Sequence, residues 1–297
     1  MNVSTHINTN GHKHLTKSST LKWDGQTKNR ARWAVHHGDA HEVLHTLPDS
    51  VVDCVVTSPP YFWLRDYGVD NQLGHEETVE EYVNGLILVM SEIHRILRPS
   101  GLLFLNIGDT YYSGKGESQG KDPKNNKRRF GLRAVDKSGG LGVGLNRKNL
   151  ITIPWRVAWA MQETKWILRS DIIWNRENFL AEAVEDRPRR RYEHVFMFSK
   201  SRKYHFKRNR LIEVCEEDIW TISDRPKPTN GLNTAPFPDE LVERCLAIGC
   251  KPKGLVLDPF AGSGTTLRVA VGTGRKSIGI DLNPECCTYM RHQLSRL

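Results

Sequence analysis

The sequence predicts a doubly wound α/β fold built on a mostly parallel sheet. Three observations carry that prediction. Two apolar runs, the β-branched residues 51–57 (VVDCVVT) and residues 102–107 (LLFLNI), read as strands buried on both faces. A long stretch with helical periodicity separates them, and a second strand–turn–helix–strand unit closes the chain at residues 254–281.

The elements follow in order. Residues 33–35 lead into a turn at Gly38-Asp39, and the run 51–57 stops at Pro59-Pro60. Across residues 79–97, Val83, Leu86, Ile87, Met90, Ile93 and Leu97 share one helical face, and Arg98-Pro99-Ser100-Gly101 ends it. Residues 153–164 read as a helix, 166–174 as a strand, and 192–199 as a strand with 203–206 paired beside it as a hairpin. A helix at 238–248, a strand at 254–258, a helix at 265–271 and a strand at 277–281 complete the pattern. Two stretches stand outside it. Residues 1–31 are polar, carry His6, His12 and His14, and lack the apolar core of a secretory signal, so they read as a flexible tail. Residues 111–149 are rich in Gly, Lys, Ser and Asn and read as an inserted basic loop. The expected organisation is one domain over residues 32–297.

Composition narrows the function. No apolar run is long enough to cross a bilayer. The six cysteines form no C-x-x-C pair and no matching His cluster, so no metal is expected and the thiols read as reduced. The net charge of +9 is concentrated: residues 115–148 hold ten Lys/Arg against three acids, and residues 187–210 hold ten against one. An acidic body with two basic segments suits a polyanion, and Lys127, Arg128, Arg129, Arg187, Arg189, Arg190 and Lys200 are the candidate phosphate contacts. The expected location is the cytoplasm, nucleoid-associated in a bacterium or nuclear in a eukaryote.

Near the C-terminus, Leu255-Val-Leu-Asp258-Pro-Phe260-Ala-Gly262-Ser-Gly264-Thr265-Thr266 reads as a strand, a glycine-rich turn and a helix start. Such a turn brings backbone N–H groups close to an anionic ligand. Asp281 ends the next strand, placed to accept hydrogen bonds from a ribose. The third glycine of a dinucleotide fingerprint is missing and no G-K-[ST] follows, which argues against a nicotinamide dehydrogenase and a P-loop. A methionine carboxylate at the helix start, with Asp258 holding its ammonium, fits the same pattern.

Thr57-Ser58-Pro59-Pro60-Tyr61 follows the first buried strand, where ligands lie in an open α/β sheet. The prolines stiffen the turn and remove two N–H donors. The exocyclic amine of a base is a poor nucleophile because its lone pair is delocalised. Acceptors such as the Ser58 hydroxyl and the Pro59 carbonyl, facing its N–H bonds, would bring that lone pair out. Tyr61 offers a ring on which a flipped base can stack.

Together these two motifs resemble those of the β-class DNA amino-methyltransferases, in which the catalytic motif precedes the glycine-rich one in a circularly permuted order. The resemblance runs from Trp33 to the end of the chain. It implies a Rossmann-like seven-stranded sheet, S-adenosyl-L-methionine as methyl donor, and double-stranded DNA with base flipping. By the same resemblance Asp39 meets the cofactor adenine, and Ala235-Pro-Phe237-Pro238 resembles a cofactor-contact segment. The stretch 166–200, including Asp186-Arg187-Pro188 and Phe198-Ser-Lys200, resembles the segment that flanks the target base, and residues 175–235 are by this resemblance the DNA-contact, target-recognition region. Between Trp174 and Asp186 the family usually carries a lysine and several prolines, where this chain has Arg176, Glu177, Phe179 and Ala181. Relatives with Ser-Pro-Pro-Tyr lean to cytosine N4 and those with Asp-Pro-Pro-Tyr to adenine N6. Cytosine N4 is therefore the target that the resemblance implies, with adenine N6 as the alternative and a catalytically inactive DNA-binding relative as a third reading. Any restriction endonuclease would be a separate protein. Neither the DNA sequence recognised nor the choice between monomer and dimer is legible here.

Overall fold

In the computed structural model the described residues are 21–64, 72–112, 121–122, 125–129, 144–177, 184–210, 217–223, 232 and 234–297. The chain runs β1 (Leu21–Gln26), β2 (Arg32–His37), α1 (Ala40–His45), β3 (Val52–Thr57), α2 (Val79–Ile96), β4 (Leu97–Ile107), β5 (Lys121–Asp122), β6 (Asn125–Arg129), α3 (Ile153–Glu163), β7 (Ile167–Arg176), β8 (Tyr192–Ser199), β9 (Ile219–Ile222), α4 (Asp239–Gly249), β10 (Leu255–Asp258), α5 (Thr265–Gly272), β11 (Lys276–Asp281) and α6 (Pro284–Leu294). One sheet has nine strands in the order β1-β2-β11-β10-β3-β4-β8-β7-β9, and β5 pairs with β6 apart from it.

The expected seven strands are the centre of this sheet, β2 to β7 in spatial order, and an extra strand lies at each edge. β1 falls within residues 1–31, expected to be a tail: it pairs antiparallel with β2, Leu21 opposite His37. Its alternation of Leu21 and Trp23 with Lys22 and Asp24 suits an edge strand, and Trp23 packs on a small cluster around Trp33 and Met290. Residues 1–20 lie outside the described residues. β9 pairs with β7 and is fixed by Trp174, whose Nε1 donates to the Ile222 carbonyl at 3.1 Å. The region 175–235 thus contributes β8 and β9 to the sheet itself.

Both faces of the central strands are buried. On β3, Val55 faces a cluster with α1, α2 and α3, while Cys54 and Val56 face one that includes α4 and α5. The alternation of period two explains why the strand reads as an unbroken apolar run. α2 starts with a capping box, Thr78 with Glu81, and its last turn passes directly into β4. The Arg98-Pro99-Ser100 stretch expected to be a turn is therefore extended. The hairpin expected at residues 203–206 does not form: Tyr204 and Phe206 pack on the α4 side, and the His205 N–H donates to the Ser100 carbonyl at 2.8 Å.

The topology places the site. From β3 the chain crosses by α2 to β4, and from β10 it crosses by α5, on the opposite face, to β11. β3 and β10 are parallel neighbours, with Cys54 level with Val256 and Val55 with Leu257. Their carboxyl ends bound a crevice at a topological switch point, where such sheets bind ligands. Residues 58 and 258 lie far apart in sequence but follow strands only about 4.8 Å apart.

Candidate active site

The crevice opens into a cavity of about 520 Å³. Ser58, Pro59, Pro60 and Tyr61 line one side; Asp258, Phe260, Gly262, Thr265 and Asp281 line another, with Asp39, Ala235 and Phe237 beside them. The two motifs singled out in the sequence therefore share one wall-to-wall pocket. Pro238 and Gly264 are not among its lining residues. Pro238 is the N-cap of α4. Gly264 caps α5 at φ 81°, and a Cβ there would lie 2.6 Å from Met290 Cγ, so its role is in the turn and in packing.

On the cofactor side, two aspartates, the buried Asp258 and the half-buried Asp281, organise the backbone. Asp281 accepts from the N–H groups of Gly262 at 2.7 Å and Asn283 at 2.8 Å. Asp258, the expected partner of an ammonium, lines the cavity, and its carboxylate accepts from the Thr57 and Thr266 hydroxyls, each at 2.7 Å, and from the Phe260 N–H at 3.1 Å. It ties β10 to β3 and to the first turn of α5. Asp39 caps α1 through the Glu42 N–H at 3.1 Å while still facing the cavity.

Burial pushes the pKa of both Asp258 and Asp281 up to about 6. The sign of the consequence differs between ligand and fold. An ionised Asp281 is the better acceptor for ribose hydroxyls and the better partner for a cationic ligand. Affinity for the S-adenosyl-L-methionine that the sequence resemblance implies is therefore expected to weaken on acidification, roughly tenfold from pH 7.5 to pH 5, measurable by calorimetry. Affinity that is flat over this range would refute the assignment. The cofactor-free chain behaves oppositely. Its raised carboxylates bind protons where the unfolded chain has already lost them, so their contribution favours the fold as pH falls from about 6 to the ordinary 3.8.

On the other side, the Ser58 turn is held from below and from across the sheet. Tyr82 of α2 donates to the Pro60 carbonyl at 2.8 Å. The Tyr61 hydroxyl donates to Glu193 Oε2 at 2.5 Å, lies 3.3 Å from Asn106 Oδ1, and receives the Ser58 hydroxyl at 3.3 Å. Arg176 Nη1 donates to the other Glu193 oxygen at 2.9 Å, and Asn106 Nδ2 donates to Glu193 Oε2 at 3.1 Å. Asn106, Trp174, Arg176 and Glu193 all line the cavity. None was among the expected site residues, although each stands at the same end of the sheet as Ser58, on β4, β7 or β8.

The basic residues divide. The Arg187 guanidinium stacks 3.7 Å from the centre of the Tyr111 ring, and Lys148 pairs with Asp186 at 2.5 Å. The ends of the inserted loop thus meet the second basic segment. Arg189 is exposed and Arg190 half-buried. Lys127, Arg128 and Arg129 belong to β6. Lys200 does not join them. The eight-residue β8 runs antiparallel to β4 and carries Lys200 about 26 Å away, to the opposite end of the sheet. There its ammonium donates to the carbonyls of Leu97 at 2.9 Å and Arg95 at 3.4 Å, capping the C-terminal end of α2. Among the described residues no cluster of His, Cys, Asp and Glu is arranged to hold a metal, and no helix is long and apolar enough to cross a membrane.

The comparisons agree with this geometry. A family model described as DNA methylase, of N6/N4 methyltransferases, matches residues 52–292. The chain belongs to the N6/N4 DNA methylase family. Among family relatives, Type II methyltransferase M.Cfr9I of Citrobacter freundii is 41% identical over 278 residues, covering 91% of this chain and 88% of the relative. Type II methyltransferase M.SmaI of Serratia marcescens is 39% identical over 268 residues, covering 87% and 89%. A DNA modification methylase of Thermus thermophilus, solved with S-adenosyl-L-methionine, superposes with a TM-score of 0.62 at 27% identity over 88% of this chain and 93% of that one. The PvuII DNA methyltransferase, described as cytosine-N4-specific, gives a TM-score of 0.66 over 87% and 85%, and at 21% identity bears on the fold alone. This N6/N4 methylase is an S-adenosyl-L-methionine-dependent DNA methyltransferase with a Rossmann-like sheet. The cavity has room and chemistry for that cofactor: the Asp281 carboxylate lines it, Gly262 at φ 53° leaves room for close backbone approach, and apolar Phe237 and Phe260 line it as well.

Proposed function

We propose that the chain methylates cytosine N4 in duplex DNA, with Ser58, Pro59, Pro60 and Tyr61 holding the flipped base and Asp39, Ala235, Phe237, Phe260, Gly262, Thr265 and Asp281 holding the cofactor. The observation that carries this is the Ser58 turn on β3, set directly beside the glycine-rich turn on β10 within one cavity. The bound cofactor supplies an electrophilic methyl group on a sulfonium. The chain supplies position: the Ser58 hydroxyl and the Pro59 carbonyl face the amine and turn its lone pair toward that methyl, and Tyr61 stacks on the ring.

Two features favour cytosine over adenine. The turn carries serine, as in relatives that lean to N4. Arg176 on the same wall gives a cationic donor, which suits the O2 carbonyl of cytosine; adenine presents a C–H at that place. The exposed Arg189, with Arg187, Arg190 and the β6 residues Lys127, Arg128 and Arg129, would hold phosphates. The resemblance to Type II methyltransferases suggests modification of one short sequence, protecting DNA from a separately encoded endonuclease.

The test is to incubate the protein with S-adenosyl-L-methionine and unmethylated duplex DNA, digest the DNA and weigh the nucleosides. N4-methyldeoxycytidine is the expected product. N6-methyldeoxyadenosine in its place would overturn the choice of base and leave the family intact.

A further inference from the structure

We propose that Glu193 is the final acceptor of the proton that the amine must lose, reached through the hydroxyls of Ser58 and Tyr61. The inference rests on the reading that Ser58 faces the base amine, and it holds for either base. Methyl transfer to a neutral amine leaves a cationic nitrogen. Its charge is removed only when an N–H proton departs, and the pocket must provide a path.

The donors in this structure already point one way. Ser58 Oγ donates to the Tyr61 hydroxyl at 3.3 Å, and that hydroxyl donates to Glu193 Oε2 at 2.5 Å. With its own hydrogen directed at Tyr61, Ser58 Oγ turns lone pairs toward the base. The far end is held in register by two groups. Arg176 takes Glu193 Oε1 at 2.9 Å, which leaves Oε2 facing Tyr61. Asn106 donates from Nδ2 to Glu193 Oε2 at 3.1 Å and to the His194 carbonyl at 3.2 Å, so its Oδ1 is the atom toward the Tyr61 hydroxyl. Asn106, an amide, cannot itself take the proton. Asp258 stands on the cofactor side with three donors on its carboxylate.

The amine lone pair forms the new N–C bond as the C–S bond breaks, and the C–S electron pair stays on sulfur. The N–H proton passes to Ser58 Oγ, the serine proton to the Tyr61 oxygen, and the tyrosine proton to Glu193 Oε2. Both hydroxyls are restored and Glu193 ends as a neutral carboxyl. Its side chain, 14% exposed, returns the proton to water once the products leave.

Single-turnover methyl transfer over pH 5–9, with wild type, Glu193→Gln, Tyr61→Phe and the double variant, tests this. Among the described residues, the charged or titratable groups bonded to Glu193 are Arg176 from β7 and Tyr61 from the turn after β3; S-adenosyl-L-methionine held saturating at every pH keeps the titration of Asp281 on the cofactor side out of the rate. Wild type should lose rate on acidification. Glu193→Gln should be about 10²-fold slower at neutral pH and lack that limb. Tyr61→Phe, which keeps the ring, should lose a similar factor, and the double variant should be no worse than either single, because a chain of donors is cut only once. In the protein without DNA, the ring-carbon signal of 13Cζ-labelled Tyr61, assigned by Tyr61→Phe, should move in Glu193→Gln while cofactor affinity stays unchanged. An acid limb retained in Glu193→Gln, or losses that multiply in the double variant, would overturn the relay while wild-type activity upheld the reading beneath it. Wild type unable to methylate DNA would remove both.

Discussion

An Asp281→Ala variant is expected to bind S-adenosyl-L-methionine roughly 10²–10⁴-fold more weakly than wild type, which corresponds to losing two charge-assisted hydrogen bonds of about 1.5–3 kcal/mol each. The side chain is half-buried and its two oxygens are already committed to the Gly262 and Asn283 N–H groups. Those bonds set the glycine-rich turn and the start of α6, and leave the remaining lone pairs for a ribose. Alanine removes the ribose acceptors and also leaves two N–H groups of the pocket wall without their partner. Asp281→Asn should fall between, closer to alanine: each oxygen receives an N–H, so an amide must turn its NH2 toward one of them. Calorimetry with purified protein measures the affinity, and a change of less than about tenfold for alanine would contradict the role assigned to Asp281.

The sequence makes some of this legible and hides the rest for identifiable reasons. β3 and β8 read clearly because both faces are covered and their apolar runs are long for their turns. α2 reads clearly because a capping box precedes a full apolar stripe. The two motifs stand out because prolines and glycines constrain backbone regardless of context. The edge strands do not stand out: β1 alternates polar and apolar residues inside a polar segment, and β9 has four residues. α6 is missing from the expected elements although Asn283 caps it and Pro284 opens it, a pairing that physical reasoning alone identifies as a helix start. Lys200 is misplaced by the sequence because counting charge along a segment ignores the strand running through it. Asn106, Arg176 and Glu193 are single polar residues near strand ends, and only register reveals that they face one another. The rule that ligands sit at carboxyl ends of strands would have flagged Asn106 and Arg176. Glu193 sits at the start of a strand, and its place follows from β8 being antiparallel to β4.

That register has a steric consequence at Gly108, immediately beyond β4. A Cβ on Gly108 would lie 2.6 Å from Tyr61 Cε2, 3.2 Å from Cδ2 and 3.3 Å from Cζ. Carbon atoms in contact rest at about 3.5–4.0 Å, so Gly108→Ala must displace the ring or the strand end. The ring is not free to swing, because its hydroxyl is bound to Glu193 and its own carbonyl is packed against Gly74, where an added Cβ would meet it at 2.9 Å. Displacement therefore moves both the surface on which the base would stack and the hydroxyl that links Ser58 to Glu193. The expected result is a fall of about 10²-fold in kcat, the scale of a misplacement of about 1 Å at a reacting centre. Cofactor affinity should be unchanged, since the aspartates and the glycine-rich turn lie across the crevice on β10 and β11. Gly272→Ala provides the control: an added Cβ at the end of α5 meets nothing within 4 Å, and activity should match wild type. Steady-state kinetics on duplex DNA, beside calorimetry with the cofactor, separates the two effects. A Gly108→Ala enzyme of full activity would mean that the close seat of Tyr61 against β4 is not what positions the base.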